Sequence, residues 1–190
     1  MSYTNPTPAE VHARRALLAP TDAHNERVLL GLLAWRGFPE RYLDLGSGTG
    51  AMVNVARRCG VSAWGVDVIN GPEHWFVHHD LTLPLALGWR APLITCFEVA
   101  EHLPANAAGV LCDTIAEHIE RGGRLIFSAA PPGQAGEEHQ NCQGAAYWRT
   151  LFYDRGLGYQ TEDTRYLSLL LSLTAGPLGW LPANVQVFDA

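Results

Sequence analysis

Residues Tyr42-Leu-Asp-Leu45 run directly into Gly46-Ser-Gly-Thr-Gly50 and then into a helical pattern from Ala51 to Cys59, closed by Gly60. This junction constrains the fold more than any other feature of the chain. A turn this tight needs residues without a Cβ, so that backbone can approach a ligand closely. The helix behind it offers free N–H groups and the positive end of its dipole. A second apolar stretch, Val61 to Val68, carries Asp67, which lies 21 residues beyond Gly46. A carboxylate at that point can accept hydrogen bonds from both hydroxyls of a ribose. Gly46-x-Gly48-x-x-Ala51 also satisfies the dinucleotide fingerprint with alanine in third place. Asp44 weighs against that reading: its charge would repel a pyrophosphate, and it suits a ligand carrying an ammonium or sulfonium group.

Around this core, strand and helix patterns alternate. Strands are expected at 42–45, 61–68, 75–79, 93–99 and 124–129, with two late ones at 159–165 and 184–188. Helices are expected at 7–19, 22–36, 51–59, 106–120 and 145–155. Such alternation predicts a doubly wound α/β domain of the Rossmann-like type, mostly parallel with helices on both faces. It also places ligands at the carboxyl ends of the strands. We expect a helical cap over 1–38 and a ligand-binding domain over 39–190, with lid elements near 131–143 and 166–183. On the helix after the first lid, Tyr147, Trp148 and Phe152 have the spacing of core residues.

Composition removes several chemistries. All 13 basic residues are Arg and none is Lys, which excludes a P-loop lysine, a Schiff-base lysine and a Tyr-x-x-x-Lys dehydrogenase pair. The net charge of −6 argues against a nucleic-acid partner, which would call for a basic face. Cys59, Cys96, Cys112 and Cys142 form no Cys-x-x-Cys pair, and read as reduced thiols of a cytoplasmic protein. The apolar stretch from Leu167 to Leu181 is short for a membrane span and is broken by Gly176, Pro177 and Gly179.

Asp44-Leu-Gly-Ser-Gly-Thr-Gly50, followed by Gly65-Val-Asp67-Val68, resembles the first two motifs of class I S-adenosylmethionine-dependent methyltransferases. The resemblance spans residues 40–188. It implies seven strands with the last antiparallel, and S-adenosylmethionine as cofactor. It assigns cofactor binding to Asp44, Gly46, Ser47, Gly48, Gly50, Asp67, Val68, Asp80, Leu81 and Glu98. Asp44 would lie near the methionine amino group, Asp67 on the ribose and Asp80 near the adenine edge.

Glu98-Val-Ala-Glu101-His102 follows the fourth strand and so faces the ligand cleft. It resembles a segment of ubiquinone-pathway O-methyltransferases and small-RNA 2′-O-methyltransferases that holds Mg²⁺ or another divalent metal. That resemblance implies a metal set of Glu98, Glu101, His102 and His139, the last from the loop after the fifth strand. The alternative is structural: Glu98 lines the methionine pocket, Glu101 favours a helix start and His102 packs. His102 and His139 are also the candidate general bases, since an imidazole titrates near neutral pH. The expected reaction is O-methylation of a small hydroxylated metabolite, a sugar or secondary product. The alternatives are a metal-dependent RNA 2′-O-methyltransferase and a cofactor-binding regulatory module. Trp180 could wall an acceptor pocket or serve a homodimer.

Overall fold

The computed structural model describes residues 23–33, 35, 37–69, 73–174 and 179–190. The helix expected at 7–19 lies outside them. Residues 23–33 form α1. There follow β1 (Arg41–Leu45), α2 (Ala51–Arg58), β2 (Ser62–Asp67), β3 (Phe76–His78), β4 (Ala91–Phe97), α3 (Ala108–His118) and β5 (Ile119–Ser128). The chain ends with α4 (Ala145–Tyr153), β6 (Gly158–Tyr159), α5 (Thr161–Thr174), α6 (Leu181–Asn184) and β7 (Gln186–Asp189).

The seven strands form one sheet in the order β3-β2-β1-β4-β5-β7-β6, with β7 antiparallel to both of its neighbours and the other pairs parallel. Alternation along each strand sorts side chains between two cores. On β5, Leu125 and Phe127 enter one core and Ile126 the other; on β7, Phe188 and Val187 divide the same way. The first core is closed by Leu111 and Ile115 of α3 and by Trp148 and Phe152 of α4. The second is closed by Leu29, Leu32 and Leu33 of α1, Val53 and Val55 of α2, and Leu167 and Leu171 of α5. Both faces are covered, which is why the strands read as near-continuous apolar runs. Helix α1 is thus integral to the sheet's second face. Trp148 and Phe152 are core residues, as their spacing predicts.

Three elements differ from the sequence reading. The late strand expected at 159–165 is the two-residue β6, and α5 begins at Thr161. The residues Tyr159, Thr161 and Thr164 suggest a strand. Glu162 and Asp163 in the first turn, however, favour a helix start through its dipole, and Thr164, Leu167 and Leu171 are buried at helical spacing. Asn184, expected to open the last strand, ends α6. Helix α3 stops at His118, two residues before the predicted end, because β5 already pairs with β4 at Ile119. Among the described residues, no helix is long and apolar enough to cross a membrane.

Chain connections leave β1 and β4 in opposite directions along the sheet, so the switch point lies between them. Their carboxyl ends carry Asp44 and Glu98.

Candidate functional site

The period of two puts Tyr42 and Asp44 on the same face of β1, and the parallel register sets Thr95 of β4 beside Asp44. The Thr95 hydroxyl donates to Asp44 Oδ1 at 2.6 Å, and Tyr42 Oη lies 2.5 Å from the same hydroxyl. Thr95 gives its one proton to Asp44, so Tyr42 is the donor of the pair. Burial, with the nearby Asp67 charge adding to it, pushes Asp44 up to about 7. Thr95 was the one hydroxyl in an apolar strand run, and that was its signal; Tyr42 gave none.

The turn after β1 passes under the cleft. Gly46 and Gly50 both have positive φ, at 77° and 80°. A Cβ on Gly46 would sit 2.1 Å from Val99 Cγ2, and one on Gly50 would sit 1.9 Å from the Phe76 ring. Neither position admits a side chain in this conformation. Asp67 closes the turn: Gly48 N–H donates to Asp67 Oδ2 and Ile69 N–H to Oδ1, each at 2.8 Å. These two donors hold the carboxylate at the carboxyl end of β2, beside the turn. Asp44, Gly46, Ser47, Gly48, Gly50 and Asp67 thus form one constellation at the ends of β1 and β2. Val68 follows it directly. Asp80 lies past β3, where its carboxylate accepts the Thr82 N–H at 2.9 Å, and Leu81 is buried in the first core.

Glu98 has φ of 51°, the left-handed region that non-glycine residues rarely enter. Its carboxylate accepts from Gln134 Nε2 at 3.1 Å and from Asn184 Nδ2 at 3.2 and 3.3 Å. Gln134 Oε1 in turn accepts from Asn184 Nδ2 at 2.9 Å. This clasp joins the end of β4 to the 131–143 loop and to α6. Sequence reasoning missed both amides, because residues 50 apart in the chain carry no local sign of meeting.

Three of the four residues in the expected metal set come together. One ligand atom each of Glu101, His102 and His139 lies within 4.8 Å of the others, while Glu98 stays outside the group. The loop is drawn in because the N–H groups of Gln140 and Asn141 both donate to the Glu101 carbonyl, at 2.7 and 3.0 Å. The His102 and His139 rings meet edge to face at 4.9 Å. Glu101 is fully buried, and neither carboxylate oxygen makes a hydrogen bond of ordinary geometry among the described residues. Burial, reinforced by the Glu98 charge, pushes it up to about 8. Burial and the neighbouring His139 lower His102, which keeps its ring neutral at neutral pH. Cys142 Sγ lies 3.5 Å from His139 Nδ1. The buried orphan carboxylate beside two imidazoles fits a divalent cation.

The strand order, the glycine turn and the paired acids define a class I S-adenosylmethionine-dependent methyltransferase. A family profile described as "Methyltransferase domain" matches residues 11–165, and the chain belongs to that family. No curated protein matches the sequence. Solved structures with the same fold include magnesium protoporphyrin IX methyltransferase of Synechocystis PCC 6803 with bound S-adenosylhomocysteine. It is 16% identical, with TM-score 0.61 over 97% of this chain and 94% of that one. A sugar N-methyltransferase of Streptoalloteichus is 13% identical, with TM-score 0.66 over 100% and 94%. A TehB-like S-adenosylmethionine-dependent methyltransferase of Corynebacterium glutamicum is 16% identical, with TM-score 0.63 over 81% and 86%. The chain is accordingly an enzyme of the methyl-transferring class.

Proposed function

We propose that the chain transfers the methyl group of S-adenosylmethionine to a hydroxyl oxygen of a small hydroxylated metabolite, a sugar or secondary product. The observation that carries this reading is the pair of imidazoles just past β4, with His102 held neutral by burial and by His139. A hydroxyl is a weak nucleophile until its proton is taken, and a positioned base contributes about 10²–10⁴-fold. The oxygen attacks the methyl carbon, the sulfonium C–S bond breaks, and the hydroxyl proton passes to His102 or His139. Asp44 in its ionised form attracts the cofactor's ammonium, Asp67 receives the ribose and Glu98 borders the methionine end. Asp80 is assigned to the adenine edge. The net charge of −6 and the absence of lysine favour a small acceptor over RNA. The test is transfer of radiolabelled methyl from the cofactor to a panel of hydroxylated sugars and phenols. Loss of at least 100-fold in kcat on His102→Gln or His139→Gln supports the reading. Unchanged kcat in both variants contradicts it.

The orphan carboxylate of Glu101 favours a second reading of the same rings, as ligands of a divalent cation with Glu101. Two imidazoles and one carboxylate suit Mn²⁺, Zn²⁺ or Fe²⁺ better than Mg²⁺, which prefers oxygen ligands and retained waters. When bound, such a cation would lower the pKa of the acceptor hydroxyl. Calorimetric titration with Mn²⁺ and Zn²⁺ separates the readings: micromolar binding lost in Glu101→Gln supports the cation, and no heat with full activity after chelation excludes it.

A further inference from the structure

A cleft of about 230 Å³ opens beyond the carboxyl end of β5, where α4, α5 and α6 converge. Its walls include Trp148 and Arg149 of α4, Arg165 of α5, Asn184 of α6 and Gln186 of β7. Asn184 also donates to Glu98, so the cleft adjoins the acid at the end of β4. Among the described residues no acid lines it, and Arg149 and Arg165 are its charged side chains.

That charge balance is unusual for this chain, which has 19 acids against 13 arginines. Two other partly buried guanidiniums have carboxylate partners, Arg124 with Asp189 and Asp163, each at 2.6 Å, and Arg155 with Asp113 at 2.6 Å, while Arg57 rests on the Ala63 carbonyl at 2.8 Å and on two indole rings, away from this cleft. Arg165 has Glu162 on its exposed side at 2.9 Å. Arg149 has none among the described residues. Its Nε donates to Gln186 Oε1 at 2.8 Å, and its guanidinium carbon lies 3.7 Å from the centre of the Tyr159 ring. Those two contacts fix the plane of the group and leave its terminal nitrogens to make the charged contact. A guanidinium locked in this way is prepared to bind a pair of oxygens in one plane, as a carboxylate or phosphate presents them. Trp148, which also lines the cleft, has a buried indole N–H with no hydrogen-bond partner among the described residues.

We propose that this cleft holds the part of the methyl acceptor that carries an acidic group, a carboxylate or a phosphate, and that Arg149 recognises it. The inference rests on the methyl-transfer reading only for the identity of the ligand as acceptor. The anion site itself follows from the cleft.

The test uses the full chain saturated with S-adenosylhomocysteine, titrated at constant ionic strength with inorganic phosphate or with acetate, against chloride. The readout shared by parent and variants is the Trp148 indole resonance; the Arg149 Nε–H resonance, which both substitutions remove, is followed in the parent alone. The expected result is a saturable shift in the millimolar range with at least one of the two anions. That shift is absent in Arg149→Gln and at least tenfold weaker in Arg149→Lys, with S-adenosylhomocysteine affinity unchanged in both. Response to phosphate alone identifies a phosphorylated acceptor, and response to acetate alone a carboxylated one. A shift of equal size in Arg149→Gln, or none with either anion, overturns the proposal. Failure of the chain to bind S-adenosylhomocysteine would undo the functional reading and leave the anion result to be judged separately.

Discussion

Arg124, on β5 opposite Leu93 in the first half of β4, and Glu101, past the carboxyl end of β4, are both buried ionisable groups, yet they are treated in opposite ways. The Arg124 guanidinium makes two hydrogen bonds to Asp189, at 2.6 and 2.8 Å, lies 2.6 Å from Asp163, and is covered by the Trp35 ring. Those partners tie β5 to the end of β7 and the start of α5. Glu101 is more deeply buried, and neither of its oxygens makes a hydrogen bond of ordinary geometry among the described residues. Leaving such a group unpaired costs stability, and a chain that sets two acids against Arg124 is able to do otherwise. The contrast separates the two ends of the sheet: toward the amino ends of the parallel strands a charge is paired, and past the carboxyl end of β4, beside the proposed site, an acid is not.

That separation can be broken from either side. The largest effect is expected at the amino end. Arg124→Met leaves Asp189 and Asp163 uncompensated and should lower unfolding free energy by about 3–5 kcal/mol in urea. The affinity of the folded fraction for S-adenosylhomocysteine should stay within twofold. At the carboxyl end, Gly50→Ala drives a Cβ into the Phe76 ring at a φ of 80°. It should weaken S-adenosylhomocysteine binding about 100-fold, or about 2.7 kcal/mol, by calorimetry.

Asp44 sharpens the comparison through pH. Its folded value of about 7 stands above the ordinary 3.8, so the folded state holds a proton that the unfolded state has released. Its stabilising contribution is complete below the unfolded value and is lost as pH rises through 7. The unliganded protein should therefore lose melting temperature across that window, and Asp44→Asn should flatten the slope. Affinity for the cationic cofactor should run the other way, rising about tenfold from pH 6 to pH 8 as Asp44 ionises. The smallest effect is expected of Glu101→Gln, which removes an unpaired acid from the interior. Its melting temperature without metal should equal or slightly exceed that of the parent, the reverse of Arg124→Met.

Much of the carboxyl-end site was legible because its residue types are forced. Only glycine tolerates the backbone of the turn at 46 and 50, and the acid at 67 receives both the Gly48 and the Ile69 N–H. The alternation of helix and strand gave the sheet, since each strand had to be apolar on both faces. What was illegible depended on the third dimension. Thr161 and Thr164 suggest a strand until Leu167 and Leu171 are seen packing on α1's side of the sheet, with the Thr164 hydroxyl accepting the Val187 N–H at 3.0 Å. Gln134 and Asn184 are ordinary amides in the sequence and become a clasp only when the 131–143 loop and α6 close on Glu98. Nothing in the linear chain singles out Arg149, because the arrangement of acids around it appears only in three dimensions.

The central claim is that the turn from Gly46 to Gly50 and the carboxylate of Asp67 together seat the nucleoside cofactor. Isothermal titration of S-adenosylhomocysteine into the purified chain and into Asp67→Ala tests it most directly. The account predicts one site per chain with at most micromolar dissociation constant, weakened at least 50-fold in the variant. No heat of binding in the parent chain, or equal affinity in the variant, would contradict it.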